Sequence, residues 1–302
     1  MRETLNWKGS NGRLCRAILC GVGAIACVTC APRTGKGASS GPQSQTPAPP
    51  HVDVQLLSER TAIWTGHTLW VGIQFQLPSG WHVYWQNPGD SGEPPKVNWN
   101  LPTGLHAGDL QWPAPERLES PSIVDYGYPN GVLLLAPIRV DSAVPAASAV
   151  PLRAEVRYLV CREICVPGKA NVSLDLPARS SAAGWNAAAH ALFEKTRAQL
   201  PEAAPAAWRV RAQSQGNYFV VSITTGKSEQ QGVFFPLDPG QIENAAPQSA
   251  RPIPRGIEFR LRKSDLLLKP ISRLRGVVVL GGRQAYEVSA AVAENGAAGS
   301  GH

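Results

Sequence analysis

Beyond residue 50 the chain is dominated by alternating apolar and polar positions, the period of half-buried strands. Residues 51–57 alternate, and residues 68–77 do so strongly before a turn at Pro78-Ser79-Gly80. A short strand over 81–85 leads into a turn at 87–90, and 96–101 is another. Residues 131–140 are almost continuously apolar and predict a buried strand, in which Pro137 implies an edge or a bulge. Alternation returns over 152–160 and 170–176. The period changes over 181–202, where Trp185, Ala189, Leu192, Phe193, Thr196 and Leu200 fall at helical spacing and Pro201 ends the run. We expect a linker helix there, packing between domains. Strands resume over 208–212, 218–224, 232–235, 257–261, 276–280 and 285–291. Short strands separated by turn signals predict antiparallel sandwiches at 51–180 and 203–294.

Composition alters this picture mainly at the ends. The 302 residues suffice for about two domains. Residues 1–26 read as a signal peptide, with a basic start (Arg2, Lys8, Arg13, Arg16) and an apolar run too short for a confident membrane span. Ala24-Ile25-Ala26-Cys27 is similar to a lipobox, which makes Cys27 a lipidation candidate, although leucine is more usual where Ala24 stands. Plain cleavage near Ala26 and an uncleaved anchor are the alternatives. All three export the body to an oxidising compartment. Residues 27–50 read as a Pro/Gly/Ser tether, its last twenty residues spanning about 25 Å, and 295–302 as a disordered tail. Loss of the leader removes those four basic residues and Glu3, so the net charge falls from +7 to +4. No dense Lys/Arg run remains, so nucleic acid is not an expected partner. The basic residues over 251–275 read as a solvated face.

Candidate chemistry is concentrated at Cys161 and Cys165, the only cysteines beyond residue 30. Residues four apart along a strand are roughly 13 Å apart, whereas a disulfide needs Cα atoms within about 7 Å. The chain must therefore fold back, through one helical turn or through a hairpin with Arg162-Glu163-Ile164 as its loop. The alternating flanks and Pro167, suited to an edge or a strand start, favour the hairpin. A bridge closing so short a loop constrains the unfolded chain by only about 2 kcal/mol, and a chain this long can bury a core without staples. Redox exchange at an accessible loop tip is thus favoured, with a structural bridge as the alternative. A closed metal site lacks its other ligands, and no cofactor is expected.

Three further stretches carry candidate signals of function. Gly89-Asp90-Ser91-Gly92 is similar to the nucleophile loop of chymotrypsin-like proteases, but no acid lies between His67 or His82 and Asp90, and too little chain precedes the serine for two barrels. Trp64, Trp70, Trp81, Trp85, Trp99 and Trp112 could bind sugar, yet most lie in alternating strands, where core packing is the usual role. Residues 112–130 read as a long proline-rich ordered loop, either a connector or an aromatic lid over the cysteines, with Tyr126 and Tyr128 as cap or support candidates.

Three motifs, occurring in order over 80–87, 125–138 and 157–168, resemble the amino-terminal periplasmic domain of the DsbD thiol:disulfide interchange proteins, especially the ScsB-like branch. The resemblance covers residues 51–180, with a weaker one to the second β-domain of ScsB-like proteins at Phe234-Phe235-Pro236 and residues 245–248. It implies an immunoglobulin-like fold. The expected class is all-β: two immunoglobulin-like antiparallel β-sandwich domains joined by a short helix. It also implies that Cys161 and Cys165 relay electrons in the periplasm, from a membrane-embedded hub to thioredoxin-fold proteins; full-length members carry a multi-helix membrane domain and a thioredoxin domain that this sequence lacks, so the hub is expected in trans. It assigns the mixed disulfide to Cys165 and its resolution to Cys161. The cysteine spacing departs from the wider one of the enteric members. An exported two-sandwich binding lipoprotein with a structural bridge is the alternative.

Overall fold

The computed structural model describes residues 51–282 and 284–294, which fall within one compact unit, Ala48–His302. The leader over 1–26, Cys27, the tether and the tail lie outside the described residues.

The first half is built from β1 (Asp53–Ser58), β2 (Ile63–Trp64), β3 (Thr68–Gln76), β4 (His82–Gly89), β5 (Lys96–Asn100), β6 (Leu105–Ala107), β7 (Glu116–Glu119), β8 (Val124–Pro129), β9 (Gly131–Val140), β10 (Ala147–Cys161) and β11 (Cys165–Arg179). They form two sheets, β1-β3-β9-β6 and β2-β11-β10-β4-β8-β7, with β5 also pairing β10. Ile73, Phe75, Val83, Trp85, Leu134, Ile138, Leu152 and Val160 belong to one core cluster between them. The continuous apolar run of β9 has a physical reason: both of its faces are covered. Leu134, Ala136 and Ile138 enter the sandwich core, while Leu133 and Leu135 pack against Ala189 and Phe193 of a helix, α1 (Ala187–Arg197), on the other side. Pro137 sends its carbonyl to the Gly108 N–H, just past the end of β6, so its missing N–H breaks no ladder there.

Part of the stretch over 112–130 that reads as a loop is strand. Its strands β7 and β8 pair with each other, and β8 also pairs β4. Val124 to Tyr128 are all buried, so the alternation that marks a half-exposed strand is lost, and the Gly and Pro residues complete the loop-like appearance. Pairing of β4 with β8 steps from Tyr84↔Gly127 to Gly89↔Asp125, so Trp85 to Pro88 bulge out opposite Tyr126 alone.

The helix is anchored to the first sandwich. Arg197 holds both Glu59 carboxylate oxygens at 2.6 Å, and the Asn186 amide donates to the Ser58 carbonyl at 3.1 Å. The Arg60 guanidinium lies 3.3 Å over the ring of Trp185, which stacks on His190.

The second half comprises β12 (Glu202–Ala203), β13 (Arg209–Gln215), β14 (Tyr218–Thr224), β15 (Gly232–Pro236), β16 (Ser249–Ile253), β17 (Gly256–Arg262), β18 (Arg273–Leu280) and β19 (Gln284–Glu294). They make one sheet, β15-β18-β19-β13-β14-β17-β16, with β12 also on β19. Phe219, Ile223 and Phe259 from one end share a core with Phe234, Leu274 and Val278 from the other. The fold is all-β and immunoglobulin-like, as expected. Short parallel pairings of β2 with β11, and of β12 and β13 with β19, interrupt the antiparallel pattern.

Neighbouring residues of the second half serve different cores. Phe234 and Val278 fill its own, whereas Phe235, Val277 and Ala285 belong to the core of the first sandwich. The Phe235 ring meets Trp85 and Tyr126 edge-on at 6.2 and 5.3 Å.

Candidate functional site

The hairpin of β10 and β11 runs in register from Val150↔Leu176 to Cys161↔Cys165. Its loop is Arg162-Glu163-Ile164, closed by the Arg162 N–H on the Ile164 carbonyl at 3.1 Å. The facing Cα atoms are 4.1 Å apart and the sulfurs form a disulfide. The two cysteines differ in exposure. Cys161 is 3% exposed, whereas Cys165 opens to solvent with Ile164 beside it. Pro167 pairs with Leu159 where β11 has no strand on its far side, so its missing N–H is harmless.

His82 is registered directly across from Cys161 on β4. Cys165, Cys161 and His82 therefore form a row across three strands, and Tyr84 lies two residues further along the same face. Intervening Val83 turns into the sandwich core, as does Val160. The disulfide thus lies on the outer face of its sheet, where nothing in the alternation calls for burial. Burial comes from above. Gly89 and Gly92 both take positive φ, and Gly92 lies so close to the Tyr84 ring that a Cβ there would be 2.1 Å from it. The loop presses Tyr84 down, and its hydroxyl donates to Cys161 Sγ at 2.8 Å, with Cys165 Sγ at 3.6 Å.

Acidic and polar groups fix this cover. Asp125, 7% exposed, accepts the Ser91 N–H and the Ser91 hydroxyl, both at 2.9 Å, and Ser91 Oγ stands 3.5 Å from the Tyr84 hydroxyl. Burial pushes the Tyr84 hydroxyl up, opposed by the hydrogen bond to Ser91 and reinforced by the Asp125 charge. Tyr84 therefore remains a donor at neutral pH. Burial lowers the His82 imidazole, with Asp125 opposing, so a neutral ring faces the disulfide at pH 7.

Tyr126 and Tyr128 direct their hydroxyls elsewhere. Tyr126 donates to Asn244 Oδ1 at 3.0 Å and Tyr128 to the Pro113 carbonyl at 2.7 Å. Tyr84 is the tyrosine whose hydroxyl reaches the sulfurs. A position that alternation assigns to the exposed face, in a strand leading into Gly89-Asp90-Ser91-Gly92, was the available sign of it. In that protease-like loop Ser91 is bonded to Asp125. Among the tryptophans, Trp81 and Trp85 are core residues and Trp99 and Trp112 pack against the same core. Among the described residues, Glu59, His190 and Glu194 lie close enough to share a metal ion, but Arg197 already bonds both carboxylates and supplies the positive charge.

Residues 53–177 match the family model described as thiol:disulfide interchange protein DsbD, N-terminal. This first sandwich, rather than the whole chain, is thus similar to the DsbD N-terminal family. The N-terminal periplasmic domain of ScsB from Proteus mirabilis is similar in fold, with a TM-score of 0.59 at 17% identity, covering 80% of this chain and 92% of that one. The alignment thus extends beyond the DsbD-type sandwich. The major pilin subunit BcpA of Bacillus cereus aligns over 82% of this chain and 70% of its own, at 10% identity and a TM-score of 0.26, too low to carry an argument. No curated protein matches the chain significantly.

Proposed function

We propose that this protein is a periplasmic thiol–disulfide relay, a protein-disulfide reductase component. It takes reducing equivalents from a membrane-embedded hub and passes them to thioredoxin-fold proteins through Cys161 and Cys165. The match of residues 53–177 to the DsbD N-terminal family model supports thiol:disulfide interchange in general. The observation that carries the proposal is the asymmetry of the bridge: Cys165 is an exposed residue, and Cys161 is buried under a hydroxyl donor.

That asymmetry orders the chemistry. An incoming thiolate attacks Cys165 Sγ, the Cys161–Cys165 bond breaks, and its electron pair leaves on Cys161 as a thiolate. The Tyr84 hydroxyl stabilises this buried anion, a charge-assisted hydrogen bond being about twice as strong as a neutral one. A second thiolate then displaces Cys165, and the pair has gained two electrons. Delivery runs in reverse. The Cys165 thiolate attacks the partner's disulfide, and the Cys161 thiolate attacks Cys165 Sγ. The bridge closes and the partner leaves as a dithiol. An apolar groove beside the tip, lined by Pro94, Tyr158, Leu159 and Pro167, offers a docking surface to the partner. Attachment through a lipidated Cys27, with residues 27–50 as tether, would keep the relay at the membrane. Mass spectrometry of the N-terminus tests that attachment.

Trapping tests the relay. Reduced Cys161→Ser, incubated with an oxidised thioredoxin-fold protein, accumulates a mixed disulfide through Cys165 that survives on a non-reducing gel. Cys165→Ser accumulates far less. Absence of the adduct with both variants would leave only a structural bridge.

A further inference from the structure

The second half of the chain has no cysteine, yet it is bonded to the cover over the disulfide. Asn244 is 5% exposed and uses both ends of its amide. Its Nδ2 donates to Asp90 Oδ1 at 2.8 Å, and its Oδ1 accepts the Tyr126 hydroxyl at 3.0 Å. The Asn244 carbonyl accepts from Arg117 at 3.2 Å. Asp90 is held from its other oxygen as well, which accepts the Val124 N–H at 2.7 Å. The next residue, Ser91, is the one bonded to Asp125 and set beside the Tyr84 hydroxyl. The start of the loop is anchored in the same way. Asn87, 1% exposed, donates to the Pro236 carbonyl at 2.7 Å and accepts the Gly89 N–H at 3.2 Å. The second half thus attaches the cover loop at Pro236 and Asn244, beside the bonds that Val124 and Asp125 supply from the first half.

We infer that Asn244 is a positioning residue for the thiol–disulfide step, and that through it the second half of the chain sets how readily Cys161 leaves as a thiolate. The inference rests on the relay reading. Its physical basis is a path that runs by hydrogen bond from Asn244 to Asp90, along the backbone to Ser91, which Asp125 holds 3.5 Å from the Tyr84 hydroxyl, and from that hydroxyl to Cys161 Sγ. Freeing Asp90 lets Ser91 and Gly92 lift from the Tyr84 ring. The hydroxyl then no longer points steadily at Cys161 Sγ. The thiolate loses its donor, and the disulfide becomes harder to reduce.

The test is the equilibrium of the Cys161–Cys165 pair with glutathione in the full chain, read by thiol trapping. Asn244→Asp keeps the shape and the acceptor for Tyr126 but removes the donor to Asp90. It is expected to lower the equilibrium constant for reduction about tenfold, a fall of about 30 mV. Asn244→Ala, which adds no charge, shifts it in the same direction. It also keeps the test open if Asn244→Asp misfolds by far-UV circular dichroism. Combining Asn244→Asp with Asp90→Asn reverses donor and acceptor and restores the parent value. Tyr84→Phe lowers the constant by itself, and Asn244→Ala then adds nothing, because the path is already cut. An unchanged constant in both Asn244 variants overturns the inference. So does a shift of undiminished size in the Tyr84→Phe background. Failure of the trapping experiment alongside an Asn244-dependent constant would remove the relay and leave the positioning role. Successful trapping with an unresponsive constant would do the opposite.

Discussion

At the scale of single residues, the chemistry depends on one hydroxyl. Tyr84 is fully buried on a sheet face that would otherwise be wet, and its burial serves the sulfur beneath it. Tyr84→Phe keeps the ring and its packing and removes only the donor. A hydrogen bond to a charged group is worth about 1.5–3 kcal/mol, so the reduced state should lose on the order of tenfold to a hundredfold in its equilibrium with glutathione. The potential would fall by about 30–60 mV. The same substitution should leave thermal stability of the oxidised protein almost unchanged. A potential equal to the parent's would show that Tyr84 merely fills space. Strand alternation made Cys161, Cys165 and the hairpin legible in advance, because pairing needs only local sequence. Tyr84 was not legible as a sulfur partner, because the contact joins β4 to the tip of β10 and depends on a loop that folds back to lay Gly92 against the ring.

At the scale of elements, α1 is held to the first sandwich by a charge as well as by Phe193. Burial alone would push the Glu59 carboxyl up, but the hydrogen bonds and charge of Arg197, aided by His190, hold it below its usual value. A carboxyl depressed on folding stabilises the protein above its unfolded pKa, near 4.5, and that contribution is lost as pH falls through the folded value. Glu59→Gln should therefore cost about 1–3 kcal/mol in urea unfolding at pH 7, and the gap between variant and parent should close as pH drops below about 4. A gap independent of pH would assign the loss to packing. The helix itself was readable from the spacing of Ala189, Phe193 and Thr196, which are its buried residues. Its seat was not readable from α1 itself. The sign lay in β9, where Leu133 and Leu135 interrupt the alternation because a helix covers them. The strands β7 and β8 were missed for a related reason: β8 is covered throughout, and burial without alternation has no period to detect.

At the scale of the whole molecule, the two sandwiches that the strand pattern separates are not independent in their packing. Which face of β15 goes where cannot be read from Phe234-Phe235, since both are equally apolar; tertiary placement sends one to each core. Burial of Phe235 alone is worth about 2–3 kcal/mol. Truncation after residue 201 would also leave the Asn87 amide without the Pro236 carbonyl and the Trp85–Tyr126 face open to water. A 51–201 fragment should accordingly unfold at a urea midpoint lower by about 1 M or more than the full chain, taking a slope of about 2 kcal/mol/M. The same coupling predicts one cooperative transition for the full chain, and the distribution of tryptophan makes this easy to check. Among the described residues, Trp208 alone lies in the second half, so fluorescence reports mainly on the first sandwich while far-UV circular dichroism reports on both. Coincident curves are expected. Two separated transitions would mean that the shared core is too weak to tie the halves together. The hydrogen bonds from Asn244 and Pro236 to the cover loop would then be too intermittent to position Tyr84. Cooperativity of unfolding and reactivity of the disulfide are thus two readouts of the same interface, and they should weaken together.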